Sequence, residues 1–356
     1  MTTYSLDDIK TRLSRYKKRD LLNLPTPFRP LPALTRELDG PSLFVKRDDL
    51  TGQAFGGNKS RKWEYIIEDA LAKGCDLILT WGSLQSNWCL QSAVTARRFG
   101  LDPVLILFKS YDLPEEPDGN LLLDFLLGAD VRIRQAQKGK VIDPGQVKAY
   151  LENVEDQLRK AGRRPYMVSV GGSALFGSMD KPLGAISHVE AMVELWEQAA
   201  AAGVKIDAVV HATGSGGTQA GLAVAARALD PKVKVVGIAV SDEKEAFAGI
   251  VLDICRETEK ALDLPLGLTR GDLIVLDEYL QDGYGAITPD VTRAVQTVFR
   301  EEGIAIDPVY TSKAMVGLAD LVKKGYFRKG ENVVFIHTGG TPALFPFGRA
   351  LLKNRK

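Results

Sequence analysis

DAVVHATGSGGTQAGLAVAARAL, residues 207–229, reads as three pieces in a row. Residues 207–213 are short, rich in β-branched side chains and apolar on both faces, as a buried parallel strand is. Residues 213–218, Thr-Gly-Ser-Gly-Gly-Thr, are a glycine-rich turn, and the alanine-rich stretch 217–229 predicts a helix. Strand, glycine turn and helix in that order form an anion cradle. Glycines let backbone N–H groups approach a phosphate, and the helix N-terminus adds partial positive charge. No Gly-Lys-Ser/Thr follows, so the turn is not a nucleotide P-loop. Position 219 is Gln, so it is not the dinucleotide fingerprint either. A single phosphate monoester fits better than a dinucleotide, although a plain tight strand–helix connection leaves the same trace.

The pattern repeats outward. Strand-like runs lie at 75–80, 104–109, 166–170, 234–240 and 332–338, and helix-like stretches at 61–73, 87–99, 119–128, 144–161, 184–202 and 289–302. Alternation of this kind predicts an α/β fold with two open, twisted, mostly parallel sheets and helices on both faces. Several strands end in small or polar residues, such as Thr80-Trp81-Gly82-Ser83 and Thr338-Gly339-Gly340-Thr341, and ligands sit beyond the carboxyl ends of strands in such sheets. The Val170-Gly171-Gly172-Ser173 stretch marks a boundary. The expectation is a large domain of residues 1–61 and 171–356 with a smaller α/β domain, 62–170, inserted into it. The length of 356 residues suits two domains.

Composition excludes several classes. Lys plus Arg number 46 against 45 Asp plus Glu, and no basic stripe with interleaved aromatics occurs, so no nucleic-acid partner is expected. The opening MTTYSLDDIKTRLSRYKKRD lacks the apolar core of a secretory signal, and no apolar run nears the ~18 residues that span a bilayer. Cys75, Cys89 and Cys255 are odd in number and far apart. No disulfide framework is expected, and a cytoplasmic enzyme without membrane contact fits. His188, His211 and His337 lack metal-ligand spacing, so no metal is expected.

Two further segments carry chemistry. In Gly56-Gly57-Asn58-Lys59-Ser60-Arg61-Lys62, Lys59 follows two glycines at the start of a helical pattern. A lysine held there could form a Schiff base if its amine pKa were lowered by desolvation or by cations such as Arg61 and Lys62. A lysine judged by position alone is more often a solvated charge. In Ser83-Leu84-Gln85-Ser86-Asn87-Trp88-Cys89-Leu90, Ser86 or Asn87 could cap the helix, and the same groups could hold a carboxylate.

FVKRDDLTGQAFGGNKSRKWEYIIEDALAKGCD (44–76), LQSN (84–87), TGSGGTQAGL (213–222), GIAIDPVYTSKAMVGL (303–318) and HTGGTPALF (337–345), with the opening LPTPFRPLPALTREL (24–38), together resemble the D-cysteine desulfhydrase and 1-aminocyclopropane-1-carboxylate deaminase family. The resemblance is collinear over nearly the whole chain. It implies a tryptophan-synthase-β-like (fold type II) architecture, pyridoxal 5′-phosphate as cofactor, a small amino-acid substrate and a homodimer. It implies that Lys59 carries the cofactor and shuttles protons, and that Asn87 bonds the cofactor's ring hydroxyl. Gly214, Ser215, Gly216, Gly217 and Thr218 would hold the phosphate, and Ser86 the substrate carboxylate. Tyr284 and Tyr310 match two active-site tyrosines; by themselves both read as half-buried aromatics.

The reaction turns on two positions. The residue after Tyr310 faces the pyridine nitrogen in the family, and deaminases place Glu there; this chain has Thr311. A carboxylate would stabilise a pyridinium, the strong electron sink that opening a cyclopropane needs; a hydroxyl would not. Thr338 matches the desulfhydrase-like pattern, where deaminases tend to carry Leu. The expectation is α,β-elimination on D-cysteine or a related β-substituted alanine (cysteate, serine, diaminopropionate), with pyruvate, ammonia and sulfide as products from D-cysteine. The alternatives are the deaminase and a cofactor-binding protein without turnover. Trp88 and Leu90 depart from the family pattern, which has a polar residue and Arg there. Trp88 either lines the pocket or packs under its helix.

Overall fold

The computed structural model describes residues 3–109, 117–136 and 144–353, with the backbone alone for 144–146. In chain order the elements are α1 (Leu6–Leu13), β1 (Phe28–Pro30), α2 (Pro32–Leu38), β2 (Ser42–Lys46), α3 (Asn58–Ala72), β3 (Leu77–Ser83), α4 (Asn87–Arg98), β4 (Asp102–Lys109), α5 (Gly119–Leu126), β5 (Asp130–Gln135), α6 (Pro144–Lys160) and β6 (Pro165–Met167). There follow α7 (Leu183–Ala201), β7 (Ala208–Thr213), α8 (Gly217–Leu229), β8 (Lys234–Ala239), α9 (Lys244–Ala261), β9 (Ile274–Leu276), α10 (Pro289–Glu302), α11 (Thr311–Lys323), β10 (Asn332–Ile336) and α12 (Gly348–Leu351).

The strands make two sheets, six-stranded in the order β1-β2-β10-β7-β8-β9 and four-stranded in the order β5-β4-β3-β6. Every pairing is parallel except that of β1 with β2. Side chains alternate across a strand, and here both sides are apolar. In β7, Val209 joins the core under α7, α8 and α9, while Ala208, Val210 and Ala212 pack towards α2, α10 and α11. In β4, Leu105 and Leu107 face the first core, while Val104, Ile106 and Phe108 pack with Val147, Leu151 and Val154 of α6. Helices therefore cover both faces of both sheets, as the uninterrupted apolar strand runs require. The smaller sheet lies wholly within 62–170, and the division drawn at residues 61 and 62 falls inside α3.

Two switch points follow from the strand orders. The larger sheet builds from β7 through β8 to β9 on one side, while β10 returns to the other. The smaller sheet builds from β3 through β4 to β5, while β6 returns beside β3. At each reversal the loops leaving adjacent strands part, which opens a crevice at the carboxyl ends. A buried ionic cluster fixes α3 between β2 and α7. Arg61 forks onto Asp48 at 2.9 and 2.8 Å and onto Glu194 at 3.0 and 2.9 Å. Lys46 bonds Glu194 as well, and the Thr26 carbonyl at 2.7 Å. No helix among the described residues is long and apolar enough to cross a membrane.

Candidate active site

One cavity gathers the residues that follow the switch-point strands. Ser83, Ser86 and Asn87 come from the end of β3 and the start of α4, and Val170 and Gly171 come from beyond β6. Gly214 and Ser215 follow β7, Ser241 and Asp242 follow β8, and Thr338 follows β10. Lys59, Tyr284 and Tyr310 complete the wall, so the cavity lies between the two sheets.

Lys59 is the second residue of α3, whose N-cap Gly57 has φ 121°. Burial brings its amine down from 10.5 to about 8. Desolvation, and not Arg61, lowers this pKa: Arg61 is spent on Asp48 and Glu194. Lys62 lies one turn on, with its Nζ donating to the Gly171 carbonyl at 2.6 Å and to Ser173 Oγ at 3.3 Å. Ser173 Oγ is in turn 2.9 Å from Ser215 Oγ, so this lysine stands directly behind the glycine turn. Burial, then the charge of Lys59, holds the Lys62 amine well below its ordinary value.

The glycine turn is built as a cradle. Gly216 caps α8 at φ 85°, and a Cβ on Gly217 would come within 2.7 Å of Ser173 Oγ. Gly214 and Ser215 border the cavity, whereas Gly216, Gly217 and Thr218 form the helix entry behind them. Thr218 Oγ1 accepts from Asn58 Nδ2 at 2.9 Å and lies 3.3 Å from His188 Nε2. His188 Nδ1 faces the Gly184 carbonyl at 3.0 Å, and burial holds the ring neutral, so Nδ1 donates and Nε2 accepts.

At the opposite wall, Ser86 Oγ caps α4 by accepting from Cys89 N at 3.1 Å, and the residue borders the cavity. Asn87 Oδ1 accepts from Asn120 Nδ2 at 2.8 Å, which leaves the Asn87 amide NH2 as a donor. Trp88 packs under its helix and also borders the cavity. Its indole stacks on Trp63 with centroids 4.9 Å apart, and Nε1–H donates to Thr80 Oγ1 at 2.8 Å. Leu90 is buried core. The Tyr284 and Tyr310 hydroxyls are hydrogen-bonded, and Ser83 Oγ lies 3.1 Å from Tyr284 OH, a hydroxyl that burial keeps protonated.

Thr338 borders the cavity, and Thr311 does not. The Thr311 hydroxyl donates to Asp307 Oδ1 at 2.6 Å and accepts from Asp307 N at 2.7 Å. Sequence reasoning pointed to Trp81 and Ser83 only as part of a strand end, and missed Asn58, Asp242 and the place of Lys62 behind the glycine turn. Two signals were available. Lys62 is three residues after Lys59, hence on the same helical face. Asp242 lies just past a strand run, where the same rule that picked out residues 213–218 applies.

The residues fit pyridoxal phosphate. A desolvated amine faces the same cavity as a glycine turn at a helix N-terminus, with the buried amine of Lys62 behind that turn. Thr213 Oγ1, at the end of β7, is buried without a partner among the described residues. The comparisons agree. Residues 20–339 match the family model described as pyridoxal-phosphate dependent enzyme. A protein of Pyrococcus abyssi, provisionally named a 1-aminocyclopropane-1-carboxylate deaminase, is 38% identical, with 96% of this chain and 97% of that one covered. The D-cysteine desulfhydrase of Klebsiella pneumoniae is 37% identical, with 94% and 97% covered. A crystal structure of an ACC deaminase homologue superposes with a TM-score of 0.86 at 36% identity, covering 97% of this chain and 98% of that one. Likeness that extends over nearly the full length, and is not confined to one motif, makes this chain a member of the family of pyridoxal-phosphate dependent enzymes.

Proposed function

We propose that the enzyme catalyses α,β-elimination on D-cysteine or a closely related β-substituted alanine, releasing pyruvate, ammonia and the β-substituent, which is sulfide from D-cysteine. The observation that carries this is the acid content of the wall: among the described residues the one carboxylate that borders the cavity, Asp242, stands beyond β8, and none stands at position 311, behind the wall. Thr311 offers no carboxylate, and the carboxylate next to it, Asp307, is spent on Thr311 Oγ1 and on the backbone N–H groups of Val309, Tyr310 and Thr311. A site without an acid there suits a substrate whose leaving group carries the electrons away.

Bound here, pyridoxal phosphate supplies the electron sink that labilises bonds at the substrate's α-carbon. Lys59 anchors it, Gly214–Thr218 with Lys62 take the phosphate, and the Asn87 NH2 donates to the ring oxygen. Ser86 Oγ and the N-terminus of α4 orient the substrate carboxylate. Lys59 Nζ takes the α-proton; an amine near 8 is basic enough to accept it and neutral often enough to do so at physiological pH. Tyr310, bonded to the protonated Tyr284, delivers a proton to the departing group.

The relative named D-cysteine desulfhydrase supports this reading, and the relative provisionally named a deaminase supports the competing one. Incubation with D-cysteine beside Lys59→Ala separates them. The expected result is pyruvate and a substrate-dependent change in cofactor absorbance, both lost in the variant. Formation of 2-oxobutyrate from 1-aminocyclopropane-1-carboxylate, with no pyruvate from any β-substituted alanine, would replace elimination by deamination. A cytoplasmic location, the division into domains 1–61 with 171–356 and 62–170, and a homodimer belong to the same proposal. Light scattering should give twice the 38.8 kDa of one chain.

A further inference from the structure

Among the described residues the cavity wall holds two side chains charged in their ordinary state, Lys59 and Asp242. Lys59 is the cofactor's. Asp242 has no task in the reaction above. It stands beyond the carboxyl end of β8, and its neighbour Ser241 reaches towards the glycine turn, with Oγ 3.4 Å from the Gly214 carbonyl. Ser241 Oγ donates to Asp242 Oδ2 at 2.5 Å. No cation pairs with Asp242 among the described residues, unlike Asp48 or Glu194. Burial accordingly pushes its carboxyl up, and Ser241 offsets this only in part.

The charges of a bound amino acid can be matched to the wall one by one. The substrate carboxylate has Ser86 and the α4 N-terminus, and the phosphate has the α8 N-terminus and Lys62. What remains is the substrate's β-substituent; Tyr310 serves a departing group that needs a proton, and among the described residues the one wall group that can carry a charge opposite to a β-cation is the Asp242 carboxylate.

We propose that Asp242 reads the β-substituent, so that the site favours amino acids carrying a β-cation, of which 2,3-diaminopropionate is the simplest, and rejects β-anions such as cysteate. The inference rests on the elimination reading for its chemistry. The α-proton passes to Lys59 Nζ. The Cβ–N bond breaks with its electron pair staying on nitrogen, Cα=Cβ forms, and ammonia departs. The 2-aminoacrylate released takes a proton at Cβ, and water hydrolyses the imine to pyruvate and a second ammonia. No oxidant or reductant is needed. A carboxylate beside the β-nitrogen keeps it an ammonium, so it leaves as neutral ammonia and not as an amide anion.

The test begins with binding, which needs no turnover. Holoenzyme is titrated with each enantiomer of 2,3-diaminopropionate, of cysteate and of alanine, which has no leaving group. The cofactor's absorbance is followed in the wild type, Asp242→Asn and Asp242→Ser. The two variants should weaken diaminopropionate relative to alanine by about tenfold or more, as loss of a charged hydrogen bond does. Cysteate should strengthen relative to alanine. The ratio of kcat/KM for diaminopropionate over β-chloroalanine should fall in the same proportion. Unchanged ratios in both variants would overturn the proposal, and so would an altered cofactor spectrum before any ligand is added, which would make Asp242 a partner of the cofactor. If the wild type makes pyruvate from no β-substituted alanine, the elimination reading fails, while the binding ratios still decide what Asp242 reads.

Discussion

Lys59 and Lys62 sit one helical turn apart, and the difference between them is what each ammonium faces. Lys59 faces the cavity with its amine at about 8; Lys62 is tied to the Gly171 carbonyl behind the glycine turn. A folded pKa below the ordinary 10.5 makes the neutral, nucleophilic amine available about two pH units early. Capture of pyridoxal phosphate by the apoprotein should therefore quicken by roughly an order of magnitude between pH 7 and 9 and then level off. A stopped-flow trace that keeps rising about tenfold per pH unit beyond 9 would instead mark an ordinary lysine. Lys62→Met removes the buried amine that a bound phosphate dianion would protonate, and should weaken cofactor binding by roughly 10–100-fold, read from equilibrium titration of the apoprotein, with its circular dichroism unchanged. The sequence exposed Lys59 through its glycines and its motif. It could not expose what Arg61 and Lys62 do, because a helix sends successive residues to different faces and only packing says what each face meets. Arg61 turned to an ionic cluster, and Lys62 to the site.

At the scale of elements, the central strands and most of the long helices were legible; α9, 18 residues long, α11 and the sheet edges were not. β3, β4, β7, β8 and β10 are buried on both faces, so their apolar runs stand out. β5, Asp-Val-Arg-Ile-Arg-Gln, is an edge strand with four of its six residues exposed, and β1 and β9 have three residues each. Such segments carry too little apolar signal to read alone. The convergence of Ser83, Asp242 and Tyr284 was equally out of reach, because it depends on which strand ends lie side by side. Two predictions belong at this scale. Gly217→Ala gains helix propensity but sets a methyl 2.7 Å from Ser173 Oγ, and that serine holds Ser215 and touches Lys62. Cofactor affinity should fall about tenfold or more while the secondary structure stays, and unchanged affinity would show that the turn is not the phosphate site. Glu194 links α7 to α3 and β2 through Arg61 and Lys46. Burial opposes its charge, but Arg61 and then Lys46 prevail and hold its carboxyl at about 2, against 4.5 ordinarily. A folded pKa below the unfolded one means stability that is full above about 4.5 and lost as pH falls towards 2. Glu194→Gln should flatten the acid limb of the urea-denaturation profile in that window and lower stability at pH 7 on the order of 3 kcal/mol.

For the whole molecule, the site's position makes the cofactor a structural link. Its wall draws on the smaller sheet through Trp81, Ser83 and Ser86 and on the larger through Ala212, Ser215 and Thr338. A ligand gripped from both sides binds the folded chain and not the unfolded one, so it stabilises by mass action. At about 100 times its Kd it should contribute roughly 2.7 kcal/mol. For a chain of 356 residues, with an unfolding entropy of about 2.1 cal/mol/K per residue, that amounts to a rise in Tm of about 4 °C. Covalent attachment at Lys59 adds to this, so the wild type should gain more than Lys59→Ala, which keeps the phosphate turn. The informative comparison is between probes. Of the four tryptophans, Trp196 lies on α7; in a Trp196→Phe background the signal comes from Trp63, Trp81 and Trp88, on the smaller sheet and the helices beside it, while far-ultraviolet circular dichroism is dominated by the helices of the whole chain. If the cofactor joins the two sheets, both probes should melt together in the holoenzyme and shift upward by the same amount. A holoenzyme in which the tryptophan signal melts at the apoprotein's temperature while the rest shifts would mean that the cofactor is held by the larger sheet alone, and the smaller sheet would then close over substrate without contributing to cofactor affinity.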